Sequence, residues 1–119
     1  MTKEIEILEN VRNICKSLPE AKETIDGFGH IVFRVNGKPF ARIGGTEEQA
    51  TLSFKSDKEN QEILIQDSRY FKTPYIGQHG WVSIKSPTDW PVLGELIQEA
   101  FLRTAPKRLA EQIRSRLST

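Results

Sequence analysis

Residues 31–43 read I-V-F-R-V-N-G-K-P-F-A-R-I, and how this stretch pairs with itself decides the fold. Ile31, Phe33 and Val35 alternate with Val32 and Arg34, the period of two that marks a half-buried strand. Asn36-Gly37 accepts the positive backbone angles of a tight hairpin turn, so the chain doubles back here. Two registers are open. A two-residue turn sets Phe33 opposite Phe40 and puts Lys38 and Arg42 on the side of the apolar residues. A three-residue loop, Asn36 to Lys38, aligns Ile31, Phe33 and Val35 with Pro39, Ala41 and Ile43, and leaves His30, Arg34, Phe40 and Arg42 on the other side. A slip of one residue exchanges the faces. The second register is preferred, because it makes one face wholly apolar.

Around this hairpin the same alternation predicts a strand at Thr24–Phe28, a return strand at Pro39–Gly45 and a further strand at Ala50–Lys55, a meander of about four. Ahead of it, Ile5, Leu8, Val11, Cys15 and Leu18, widened by Ile7 and Ile14, trace a helical face that Thr2 caps and Pro19 ends. Cys15 lies on that face as a small core group. Ser56-Asp57-Lys58-Glu59 fits a capping box with Ser56 as the cap, opening a helix to about Asp67 that buries Ile63, Leu64 and Ile65. Residues 68–80 read as a loop with a short extended piece near Tyr70-Phe71. Trp81–Lys85 is a strand with Val82 and Ile84 inward and Trp81, Ser83 and Lys85 outward. Asp89 or Thr88 caps a helix to about Arg103 with a buried stripe of Leu93, Leu96, Ile97, Ala100 and Phe101. Thr104 caps a last helix with Pro106 in its first turn and Leu109, Ile113 and Leu117 along one side. Helix, antiparallel strands and then helices predict a single α+β domain over residues 1–119. It has two layers, an antiparallel sheet with helices packed on one face. The other face is free to meet solvent.

The chain has 119 residues, 37% hydrophobic and 28% charged, with a net charge of +1. That is the balance of an ordinary globular domain, not of a strongly basic nucleic-acid binder. The charge is uneven: residues 1–67 carry 9 Lys/Arg against 12 Asp/Glu, residues 68–119 carry 8 against 4. An anionic partner is therefore expected to favour surfaces built from the second half. One cysteine excludes an internal disulfide, and no apolar run approaches a membrane span, so the expected setting is the cytoplasm. The sequence holds no P-loop, dinucleotide fingerprint, nucleophile elbow or metal-ligand cluster. No catalytic residues, metal or cofactor are expected, and the protein is not read as an enzyme. Of the two histidines, His79 in the Tyr75–Trp81 loop is the better functional candidate, since loops carry function more often than strands.

The candidate site is the open sheet face. In the preferred register Arg34, Lys38, Arg42 and Lys55 project from it with Phe40, and Trp81 and Lys85 join from the later strand. Cations neutralise phosphates and aromatic faces stack on exposed bases, which suits single-stranded or loosely sequence-specific nucleic acid. Lys107 and Arg108, near the start of the last helix, form a second basic patch. The alternative is a protein-interaction or small-ligand module, with the Tyr75–Trp81 loop forming an apolar or anion-receiving pocket.

Four segments, L-P-E-A at Leu18–Ala21, V-F-R-V-N-G-K-P-F-A at Val32–Ala41, P-Y-I-G-Q-H-G-W-V at Pro74–Val82 and A-P-K-R-L at Ala105–Leu109, resemble the MmcQ/YjbR family in order and spacing. These are small bacterial domains usually labelled DNA-binding, and the resemblance spans nearly the whole chain. It implies a compact α+β domain of the frataxin-like, double-wing type with DNA as the partner. It carries over no catalytic residues. The fold it implies also brings in metal handling as a third possibility for function.

Overall fold

The computed structural model describes residues 3–45 and 49–117. Four helices and six strands follow one another as α1 (Lys3–Cys15), β1 (Lys22–Ile25), β2 (Ile31–Val35), β3 (Lys38–Gly45), β4 (Ala50–Phe54), α2 (Lys58–Leu64), β5 (Tyr70–Lys72), β6 (Val82–Lys85), α3 (Trp90–Thr104) and α4 (Lys107–Leu117). The strands form one antiparallel sheet in the order β1-β2-β3-β4-β6-β5. The extended piece at Tyr70 is a true edge strand on β6. Helices α1 and α3 pack on β3 and β4, and α4 packs on α3. This is the two-layer α+β architecture the alternation implied. Among the described residues, no helix is long and apolar enough to cross a membrane.

The hairpin satisfies both registers in turn. At its tip Val35 faces Lys38 and Arg34 faces Pro39, the two-residue turn that Asn-Gly favours. Further in, Phe33 faces Ala41, Val32 faces Arg42 and Ile31 faces Ile43, the register that keeps one face apolar. One extra residue in β3, a bulge at Phe40, reconciles them. The bulge turns Phe40 and Ala41 both toward the helices. Phe40 is fully buried and meets Phe101 edge-to-face, with ring centroids 5.5 Å apart. Its expected place on the open face is therefore corrected. Lys38, opposite the core residue Val35, likewise falls on the helix side, at the exposed hairpin tip.

Ile7 and Val11 of α1, Phe33, Val35, Ile43, Leu52 and Phe54 of the sheet, Leu93, Ile97 and Phe101 of α3, and Leu109 and Ile113 of α4 make one core. Burial pushes the Cys15 thiol up to about 12, with the charge of Glu23 adding to it, as befits a group packed against that core. Several local readings are corrected. The cap of α2 is Asp57, whose carboxylate accepts from the Asn60 N–H, while Ser56 is buried one residue earlier. Ile63 points outward, 60% exposed, and Gln61 is the buried residue of that helix. Thr104 ends α3 and donates back to the Ala100 carbonyl; the Pro106 carbonyl accepts the first bonds of α4. Thr2 and the side chain of Leu117 lie outside the described set.

Acid should loosen this domain in a defined window. The Arg108 guanidinium holds Glu20 below its ordinary 4.5, and Arg12 does the same for Glu23. Hydrogen bonds from the Arg69 side chain and backbone lower Asp67 from 3.8 to about 2. Depressed carboxylates contribute stability above their unfolded values and lose it as pH falls through the folded ones. A melting temperature that is flat above pH 5 and declines from about pH 4.5 toward pH 2 is expected in a pH series. The slope is modest, because these pairs are exposed.

A cationic cleft on the open sheet face

Directly opposed residues of an antiparallel pair share a face. Val32 opposes Arg42, Arg42 opposes Ser53, Ser53 opposes Ser83, and Ser83 opposes Phe71, so one row crosses the open face from β2 to β5. The next row runs Gly44, Thr51, Lys85. Over Gly44 lies the His30 ring, so close that a Cβ there would stand 3.1 Å from it. Glycine leaves the space that the imidazole occupies.

Two loops raise walls along this floor. One carries Phe28 and His30, the other Pro74, Tyr75 and Ile76. Between them lie two adjoining cavities. The first, of about 360 Å³, is lined by His30, Arg42, Thr51, Ser53, Ser83 and Lys85, with Phe71 and Pro74 at its side. The second, of about 500 Å³, is lined by Phe28, His30, Arg42, Pro74, Tyr75 and Ile76. Both fall within the range of ligand pockets. Among the described residues, no carboxylate lines either. The rim aromatics Phe28 and Tyr75 are 88% and 95% exposed.

Arg42 is half-buried at the junction of the two cavities. Arg12, Arg69, Arg103 and Arg108 each rest on a carboxylate. Arg42 has no hydrogen-bond or ion-pair partner among the described residues. Lys85 stands with its ammonium 5.7 Å from the centroid of the Phe71 ring. Asp26 orients His30: its carboxylate accepts the backbone N–H groups of Phe28 and His30 and lies 3.2 Å from His30 Nδ1. Partial desolvation pushes Asp26 up, but those hydrogen bonds outweigh it and hold the carboxyl below its ordinary value. Beneath the floor, Ser53 Oγ is 2.7 Å from Ser83 Oγ, which is 2.8 Å from Thr73 Oγ1. Three hydroxyls share two hydrogen bonds, so one proton remains for donation, and Ser53 and Ser83 both line the cleft.

Of the residues expected on this face, Arg42 and Lys85 meet in the cleft. Arg34 shares the face but is held at the hairpin by Thr24 Oγ1 and the Gly37 carbonyl. Lys55, next to the inward-facing Phe54, projects from the open face away from either cavity. Trp81 is buried, 5% exposed, and lines neither cavity, so the expected stacking platform is absent there. Arg108 is taken by Glu20 at 2.8 Å, and Lys107 lies beside it at the start of α4, remote from the sheet's open face. His30, not His79, is the imidazole at the cleft. Sequence reasoning missed Phe28 as a wall; Ser53 and Ser83 were legible as outward positions of their strands but carried no chemical signature.

A family model described as YjbR matches residues 16–103. The chain belongs to the YjbR family. The matched span contains every residue that lines the cleft. A crystal structure of Deinococcus radiodurans protein DR2400, which carries the family-model domain DUF419, is similar to this YjbR domain. It shares 26% identity over 80% of this chain and 75% of that one, with a TM-score of 0.70. No curated protein matches it.

In this YjbR domain the second wall is tied down from α2. Gln61 Nε2 donates to the Gly77 carbonyl at 2.7 Å and the Trp81 carbonyl at 2.9 Å. Gly80 closes the same turn at φ +92, where a Cβ would meet the Ser56 carbonyl at 2.6 Å. Gln61→Ala removes both bonds, leaving the Gly77 carbonyl with the Gly80 N–H and the Trp81 carbonyl with the Thr73 N–H, and should cost about 1–3 kcal/mol in urea denaturation.

Proposed function

We propose that this YjbR domain is a non-enzymatic binding module that takes single-stranded DNA on the open face of its sheet. The observation that carries the reading is Arg42, a half-buried guanidinium without a partner among the described residues, in a cleft that none of the described carboxylates lines. A half-buried guanidinium with no acidic side chain against it can take an anion from outside in charge-assisted hydrogen bonds. Lys85 adds a second cation, and Phe28, Tyr75 and Phe71 offer ring faces for unstacked bases. The cleft is too local for a long duplex contact and suits a flexible strand. The single free thiol is compatible with a reducing, cytoplasmic setting.

Fluorescence anisotropy with a labelled single-stranded oligonucleotide tests this. Two cations imply a log–log salt slope of roughly −1.4, that is about −0.7 for each phosphate neutralised. A slope twice as steep would mean that Arg34 and Lys55 also bind phosphate. No binding even at low salt would end the proposal.

A further inference from the structure

We infer that the cleft recognises a nucleoside monophosphate unit, with a terminal phosphate on Arg42 and Lys85 and its ring between Phe28 and Tyr75. This rests on the nucleic-acid reading above and narrows its ligand. The two cavities differ in chemistry and share His30, Arg42 and Pro74. The first offers two cations and the hydroxyls of Thr51, Ser53 and Ser83, the second an aromatic and aliphatic lining. One pole suits oxyanions and the other a flat apolar body, so a ligand spanning both carries an oxyanion and a ring on one small molecule.

Charge selects the kind of phosphate. A phosphomonoester carries about −1.5 to −2 at neutral pH, whereas a diester within a strand carries one charge. Arg42 and Lys85 together match the monoester. Beyond them the next arginine on this face, Arg34, is already bonded to Thr24 and Gly37. The hydroxyl chain can add a donor: when Thr73 gives to Ser83 and Ser83 to Ser53, the Ser53 proton is left for a ligand oxygen. The unit is either a free mononucleotide or the phosphorylated end of a strand.

Titration calorimetry with adenosine monophosphate, adenosine and inorganic phosphate, beside anisotropy with oligonucleotides bearing a 5′-phosphate, a 3′-phosphate or only hydroxyl ends, separates the cases. Adenosine monophosphate should bind about tenfold or more tighter than either fragment, and Phe28→Ala should remove most of that gain. One phosphorylated end should bind several-fold tighter than hydroxyl ends and be displaced by the mononucleotide. Mononucleotide binding with no preference for phosphorylated ends identifies the free nucleotide as the source. If hydroxyl-ended strands bind as well as phosphorylated ones and the mononucleotide neither binds nor competes, this inference falls while the broader reading stands. Inorganic phosphate binding as tightly as the mononucleotide overturns the ring pole. If the mononucleotide binds and no strand does, the broader reading falls instead. Silence from every probe removes both.

Discussion

Phe40→Ala lowers the stability of the domain by about 3–5 kcal/mol, the cost of a large cavity in a packed core. Small domains hold only about 5–15 kcal/mol in total, so a loss of this size brings the variant close to unfolding. The ring is fully buried and stands edge-to-face on Phe101, so the variant loses both buried area and an aromatic pair. Neighbours on both sides limit collapse into the hole, since β3 is held by β2 and β4. Urea denaturation measures the change directly. If Phe40 instead stood on the open face, the same substitution would move stability by only a few tenths of a kcal/mol and would weaken nucleic-acid binding. The two outcomes do not overlap.

Arg42→Ala should do the reverse. With no partner to lose among the described residues, the protein keeps its stability within about 0.5 kcal/mol. Binding of a single strand should weaken by about 2 kcal/mol, roughly 30-fold, and the salt slope should shrink by about 0.7. Lys38→Ala is the matched control: it removes one charge from the hairpin tip, off the open face, and should leave affinity nearly unchanged. Equal losses at Arg42 and Lys38 would point to diffuse attraction rather than a cleft.

The contrast between these residues shows what the sequence could and could not disclose. Alternation in Ile31–Val35 and in Ala50–Phe54 revealed the sheet and its two faces, because a period of two needs no knowledge of distant contacts. Arg42 and Lys85 were legible as outward positions for that reason. Phe40 was not. Asn36-Gly37 demands a two-residue turn while the apolar pattern demands the other register, and the chain resolves the conflict with an extra residue that neither signal announces. Trp81 reads as an outward strand position, yet it is buried, and alternation alone could not show that. Gln61 is polar and buried for two carbonyls, those of Gly77 and Trp81, that lie 16 and 20 residues away. The cleft itself depends on loops at His30 and Pro74 meeting over one floor, a juxtaposition that only the folded sheet creates.

Amide chemical-shift mapping during titration with a 5′-phosphorylated single-stranded oligonucleotide tests the location of binding most directly. The account predicts shifts at Phe28, His30, Arg42, Ser53, Tyr75, Ser83 and Lys85, with α1, α3 and α4 unmoved. Shifts gathered at Lys107 and Arg108 on α4, with the open sheet face silent, would contradict it.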